Sequence, residues 1–184
     1  AGEKTAALAH LAAIGIVVAA MPSPPLAVEV DWPDGAFTAY LPPVYGGRAA
    51  LMTQIHRISM NTLEPYGFST YPVALPKKLL AAMSGLGRYG RNNILYVEGL
   101  GSCHRLTAFG TDAPFTGALI PAEDWALPRC KTCGICAARC PSGAIDSARF
   151  RIYPDRCITF YNESGGEFPA WLDPGWHSAL AGCV

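Results

Sequence analysis

Between Cys130 and Pro141 the sequence reads Cys-Lys-Thr-Cys-Gly-Ile-Cys-Ala-Ala-Arg-Cys-Pro, and no other stretch narrows the choice of folds as much. Three cysteines spaced by two residues, then a fourth after three more with a proline behind it, give the thiolate spacing that wraps a 4Fe-4S cluster. A cubane offers four irons at tetrahedral corners. A tight turn through Cys130, Cys133 and Cys136 lets three thiolates reach three corners while the intervening backbone N–H groups face the cluster sulfurs.

The fourth cysteine of such a run, here Cys140, points away and in two-cluster ferredoxins ligates the other cluster. The run therefore predicts further ligands downstream, and Cys157 and Cys183 supply them. A zinc site is the competing reading, because C-x-x-C pairs also suit tetrahedral zinc. Zinc sites, however, separate two such pairs by a long spacer and have no need of three evenly spaced cysteines ahead of Cys-Pro. An odd total of seven cysteines, clustered in this way, fits metal ligation in a reducing compartment better than a disulfide framework and points to the cytoplasm.

Around this run the composition is that of a globular chain. Hydrophobic residues make up 51 % and charged residues 15 %, which argues against disorder. Fourteen basic residues balance fourteen acidic ones, so no nucleic-acid groove is built on net charge. The apolar run from Thr5 to Ala20 is too short for a membrane span and reads as a buried helix leading into a strand over Ile14 to Ala20. The sequence begins without methionine and stops at Cys183-Val184. Two 4Fe-4S clusters need eight thiolates, so the six cysteines of the run and its downstream partners leave the set incomplete.

Along the rest of the chain helix and strand patterns alternate. Prolines from Pro22 to Pro43 bracket two strand candidates, Leu26 to Val30 and Ala36 to Tyr40, expected as irregular or edge elements. A helix is expected over Arg48 to Leu63 with Leu51, Ile55, Ile58 and Thr62 on one face, and with His56 at its boundary or on its polar side. Phe68 to Val73, Asn93 to Val97 and Arg105 to Phe109 read as strands, and Lys77 to Ser84 as a short helix stopped by Gly85. Pro114 to Pro128 reads as a connection. The fold class is α+β, with an α/β layer over residues 1–120 and a cysteine domain over residues 121–184.

Gly85-Leu86-Gly87-Arg88-Tyr89-Gly90 matches G-x-G-x-x-G, the fingerprint of a dinucleotide phosphate site when it follows a strand and opens a helix. Here a helix precedes it and a strand follows, so the context is reversed and the dinucleotide reading fails. What is left is a glycine-rich loop that allows close backbone approach, flanked by Arg88, Arg91, Asn92 and Asn93. Two readings of it stay open, a sharp helix-to-strand turn and a loop that contacts a ligand.

Leu75-Pro76-Lys77-Lys78, the loop Gly85 to Asn93, Gly101-Ser102, the four-cysteine run, Arg156-Cys157 and Gly182-Cys183 together resemble the epoxyqueuosine reductase family and related double-cluster 4Fe-4S proteins. Reductive dehalogenases share the general plan. The resemblance covers about residues 45 to 184. It implies a nitroreductase-like α/β layer that binds a cobalamin, followed by a ferredoxin-like domain with two 4Fe-4S clusters. On that pattern Cys130, Cys133 and Cys136 hold the first cluster and Cys140, Cys157 and Cys183 the second, each one ligand short within this sequence. Arg88, Tyr89, Gly90 and Asn92 are the implied cofactor-binding residues. Cys103 stands where the family has an aromatic residue and is not counted as a ligand, and Trp171, Trp176 and His177 are expected to pack over a cluster.

The family places an acidic proton donor upstream of the glycine loop, in the register of Tyr71-Pro72-Val73-Ala74. No carboxylate occurs between Glu64 and Gly85, which counts against the tRNA-modifying activity and leaves Tyr71 as the catalytic candidate, since a tyrosine serves as proton donor in the dehalogenase relatives; a packed strand tyrosine is the competing reading. The resulting expectation is an oxidoreductase that relays electrons from a ferredoxin or flavodoxin type donor to a small-molecule or modified-nucleoside substrate. Its rivals are an electron carrier or binding module with structural clusters, and a zinc-stabilised interaction domain.

Overall fold

A computed structural model of the chain describes residues 15–43, 48–115, 117–177, 179 and 182. The helix expected from Thr5 and the candidate ligand Cys183 lie outside them. In chain order the strands are β1 (Gly15–Pro22), β2 (Leu26–Val30), β3 (Phe37–Leu41), β4 (Thr70–Pro72), β5 (Gly87–Tyr89), β6 (Leu95–Val97) and β7 (His104–Thr111). The described helices are α1 (Arg48–Leu63), α2 (Lys77–Met83), α3 (Ile135–Arg139) and α4 (Ile158–Glu163). None of them is long and apolar enough to cross a membrane.

The principal sheet has the order β1-β7-β4. β1 runs antiparallel to β7 along its whole length, from Gly15 opposite Thr111 to Pro22 opposite His104. β4 pairs antiparallel on the other side, Thr70 opposite Thr111 and Pro72 opposite Phe109. As the middle strand β7 is the most deeply covered, with Thr107, Ala108, Phe109 and Thr111 all buried. β4 is shorter than the strand expected over Phe68 to Val73, because the Ser69 N–H turns aside to donate to Asp112 Oδ1 at 2.7 Å. Pro72, which has no N–H, closes the edge strand.

β2 and β3 form a separate antiparallel hairpin with Leu26 opposite Leu41 and Val30 opposite Phe37. The proline-rich segment is thus regular: Pro22 ends β1 opposite His104, and the other prolines fall outside the paired residues. Ser23 anchors it, donating from its N–H to Cys103 O at 2.9 Å and from its hydroxyl to Pro43 O at 2.8 Å.

α1 has the expected length but a different buried face. Ile55 and Ser59 are buried, whereas Ile58 is 54 % exposed and Thr62 is exposed. The packed stripe therefore follows Ile55 and Ser59 at i, i+4. Ser59 is tolerated in it because its hydroxyl donates to Ile55 O at 2.9 Å, which leaves no unpaired polar group. His56 is half-buried beside this stripe, with Nε2 3.2 Å from Thr70 Oγ1.

α2 lies against β1, β7 and the β5–β6 hairpin. Ala81 and Ala82 of α2 and Leu95 and Val97 of β6 form the buried cluster at that junction, with Val18, Ala20, Leu106 and Trp125 packed around it. Two alanines in the centre let the helix approach the sheet closely. Leu95 is the large side chain that fills the layer, so Leu95→Ala should cost about 2–5 kcal/mol by transfer and cavity terms. Leu119→Ala, at a site 66 % exposed, should change stability by less than about 0.5 kcal/mol. Urea unfolding of both variants checks the contrast.

His104 begins β7 and is buried, with Nδ1 3.1 Å from Gly101 O. Burial pushes its pKa below the ordinary histidine value, and the bond to the Gly101 carbonyl opposes this in part. The unfolded chain therefore takes up this proton at a higher pH than the fold does. The contribution of neutral His104 is intact above the unfolded pKa of about 6.5 and declines as pH falls from there toward the depressed folded value. His104→Gln should flatten the pH dependence of unfolding on the acid side of neutrality, as followed by thermal melts.

Candidate metal centre

The approach to the cysteines is built by the glycine-rich segment. β5 and β6 pair antiparallel, Gly87 opposite Val97 and Tyr89 opposite Leu95. The free side of β5 then takes the chain that leads to the cysteines: the Tyr89 N–H donates to Trp125 O at 2.7 Å and the Leu127 N–H to Tyr89 O at 2.8 Å. The connection expected over Pro114 to Pro128 is also pinned upstream. The Ile120 N–H donates to Met83 O at 2.7 Å, and Trp125 Nε1 donates to Ile120 O at 2.8 Å.

Two glycines make this strip possible. A Cβ on Gly87 would stand 2.8 Å from the Tyr96 carbonyl oxygen, and one on Gly90 2.5 Å from both Asn92 Oδ1 and a Tyr96 ring carbon. The glycines thus serve close packing within the hairpin. Asn93 turns the chain with φ 60°, a conformation Asn accepts more readily than most residues.

From Leu127 the chain enters a short 3-10 turn over Pro128–Lys131 that carries Cys130, whose N–H donates to Leu127 O at 2.9 Å. Cys133 follows with its N–H on Arg129 O at 3.1 Å. Cys136 lies on α3, Cys140 caps that helix in an extended conformation, and Cys157 stands directly ahead of α4. All five are free thiols of intermediate burial, whereas Cys103, next to β7, is exposed. Cys140 Sγ has Ser142 Oγ at 3.6 Å.

Among the described residues no three His, Cys, Asp or Glu side chains converge as ligands of a single ion. A cubane does not ask for that convergence, because each of its thiolates binds a different iron. The donor set, a ferredoxin-spaced run of half-buried free thiols, fits a cluster in its chemistry.

Arg91, at the tip of the β5–β6 hairpin, joins the glycine-rich loop to the cysteine region. Its backbone N–H lies 3.5 Å from Cys130 Sγ. Its Nη2 donates to Cys130 O at 3.0 Å, and Nη1 reaches Asp146 O, Ser147 O and Arg149 O at 3.2, 2.9 and 2.8 Å. The carbonyls of that second loop are gathered by an Asx turn, in which the Ala148 N–H donates to Asp146 Oδ1 at 2.7 Å. Arg91 Nε is buried with no acceptor. Sequence reasoning noted Arg91 as a flanking residue and did not place it in the site. Nothing in the spacing announces which distant carbonyls an arginine will meet.

Lys78 of α2 was also missed. Its Nζ donates to Asn93 O at 2.9 Å. Although the residue as a whole is exposed, desolvation of the ammonium lowers its pKa, against the opposing pull of Glu163 and Cys157. Lys78 therefore connects α2 with the hairpin tip and lies in the electrostatic reach of Cys157.

The other sequence candidates are distributed around this core. Arg88 is exposed on β5, and Tyr89 is half-buried there, its pKa raised by burial. Asn92 spends its side chain inside the hairpin, donating to the Tyr96 hydroxyl at 3.1 Å and accepting from the Ile94 N–H at 3.3 Å. Tyr71 stands on β4 opposite Gly110 and is 42 % exposed. Trp171 contacts Trp176 and Tyr161, while His177 meets the edge of Phe168.

No family model and no curated protein matches the chain in sequence. Solved structures do match it in shape. An epoxyqueuosine reductase in complex with an epoxyqueuosine-modified tRNA-Tyr stem loop superimposes with a TM-score of 0.65 at 19 % identity, over 91 % of this chain and 45 % of its own. The enzyme from Streptococcus thermophilus gives 0.64 at 16 % identity, over 91 % and 46 %. The Bacillus subtilis enzyme, with its catalytic loop swung out of the active site, gives 0.58 at 19 %, over 91 % and 45 %.

The chain has the fold of epoxyqueuosine reductase. It spans less than half the length of those structures. At such identities the likeness establishes shared architecture. Within that architecture Asn92 holds the hairpin tip that presents Arg91. Asn92→Ala should lower stability by about 1–2 kcal/mol, since it leaves the Ile94 N–H and the Tyr96 hydroxyl without this partner. Chemical denaturation monitored by tryptophan fluorescence measures it.

Proposed function

We propose that the chain is the cluster-bearing part of an epoxyqueuosine reductase-like oxidoreductase, in which two 4Fe-4S clusters relay electrons to a site in the α/β layer. The observation that carries this reading is the bridge from the glycine-rich hairpin to Cys130, because it fixes the cysteine segment against the layer in a fold shared with epoxyqueuosine reductases. A relay needs that fixed separation, since electron transfer falls off steeply with distance. Cys130, Cys133 and Cys136 would hold the first cluster, and Cys140, Cys157 and Cys183 would contribute to the second. The layer is read as nitroreductase-like and the cysteine domain as ferredoxin-like.

A cobalamin in the α/β layer, if bound, would supply the reductive chemistry on substrate, and the protein would bind and orient it. Arg88 and Tyr89 are the candidates to face it, with Gly90 and Asn92 shaping the loop behind them. Tyr71 is the proposed proton donor, on an edge strand where its ring is open to solvent. The electron donor would be of ferredoxin or flavodoxin type. The substrate proposed is a modified nucleoside, by analogy with the tRNA stem loop bound to the similar enzyme.

An electron carrier with the same clusters is favoured by one observation. Gly90 and Asn92 spend their packing and hydrogen bonds within the hairpin, as a purely structural turn would. Anaerobic reconstitution of a C-terminally extended protein separates the readings. The expected outcome is iron and acid-labile sulfide in equal amounts at the level of two clusters, plus a corrinoid absorbance on adding cobalamin. Clusters without corrinoid binding support the carrier, and stoichiometric zinc without iron or sulfide overturns both. Cys133→Ser should remove about half of the iron by opening one cluster, while Cys103→Ser should leave the iron content unchanged. Tyr71→Phe should keep both clusters and abolish turnover of the stem-loop substrate.

A further inference from the structure

We infer that Arg91 is a positioning residue for the first cluster, holding Cys130 in place and donating a charge-assisted N–H···S hydrogen bond from its Nε to a sulfide of the cluster. This rests on the cluster reading of Cys130, Cys133 and Cys136 and goes beyond it, because no ligand role is involved.

Three observations converge on the assignment. The Arg91 backbone N–H already lies 3.5 Å from Cys130 Sγ, so the residue is at the rim of the cysteine loop. Its two terminal nitrogens are spent on four carbonyls, one from Cys130 and three from the 146–149 loop, which fixes the plane of the guanidinium. Nε is a further side-chain donor, and it is buried with no acceptor. An arginine keeps its charge at any working pH, and a buried donor without a partner is costly enough that an acceptor is expected beside it. Cys130 Sγ is met by the backbone N–H and not by Nε, so the acceptor that the Cys130 loop would bring is cluster sulfide.

The consequence is electrostatic. A fixed cation and an N–H bond to sulfur both stabilise the reduced cluster, which carries one more negative charge, and hydrogen bonds to the sulfurs are among the factors that set cluster potentials. Arg91 would therefore raise the potential of the first cluster relative to the same cysteines without it.

The test uses the anaerobically prepared full-length protein and Arg91→Gln, Arg91→Lys and, as a remote charge control, Arg57→Gln on exposed α1. Redox titrations followed by electron paramagnetic resonance read the potential of each cluster. In Arg91→Gln the reduced-to-oxidised ratio of one cluster at fixed poise should fall about tenfold, which is ~59 mV for a one-electron couple. Arg91→Lys retains charge without Nε–H and should fall severalfold, and Arg57→Gln should match the parent. Arginine labelled with nitrogen-15 in its guanidino group should give a hyperfine coupling to the reduced cluster that Arg91→Lys abolishes.

Should Arg91→Gln fail to fold, Arg91→Lys alone decides. Parent-like potentials in the variant, with the nitrogen coupling unchanged, overturn the inference while leaving the clusters standing. Absence of iron and sulfide from the parent protein overturns the cluster reading and the inference together.

Discussion

One guanidinium group holds the two parts of this chain in register. Arg91 gathers carbonyl oxygens from Cys130 and from the 146–149 loop, segments separated from it by about forty and more than fifty residues. Carbonyls gathered in this way are dipoles whose negative ends would repel one another without a cation between them. The charge therefore keeps the loops together, and a neutral side chain of the same length would not. The placement of Cys130 and of the 146–149 loop depends on where the hairpin tip delivers this residue.

The delivery is mechanical. β5 is bonded to β6 on one side and to the 125–127 segment on the other, so the strand that displays Arg91 also guides the chain into the first cysteine. α2 packs its two alanines on the same hairpin and on the principal sheet, which makes the hairpin part of the core and not a free loop. Lys78 closes the arrangement from above through the Asn93 carbonyl. The cysteine segment has little apolar core of its own; Ala144, Ile158 and Leu172 are its buried hydrophobic residues among those described. Its order therefore depends in large part on the α/β layer it is bonded to.

Charge around the cysteines has a similar logic. Arg149 and Arg156 both lie over the Tyr153 ring, at 4.3 and 4.9 Å from its centroid, so two cations share one aromatic ring near the loop that Arg91 clamps. A zero formal charge over the whole chain conceals this local concentration of positive groups, which would offset the negative charge of thiolate-bound clusters.

The sequence by itself determined the donor chemistry and the local elements. The identity and spacing of Cys130, Cys133, Cys136 and Cys140, the span of α1, the stop of α2 near Gly85 and the residues of β2 are all read from neighbours a few positions apart, where turn chemistry and periodicity act. Tertiary structure decided the rest. That β7 lies between β1 and β4, strands far apart in the chain, follows from pairing that no local pattern encodes. Which face of α1 is buried was settled by the layer it packs on, and a serine bonded to its own helix could join that face as readily as an isoleucine. The glycine-rich loop was visible as a motif. Its use was not, because a clamp of carbonyls around Arg91 exists only once three distant segments have been folded to within hydrogen-bond distance of one side chain.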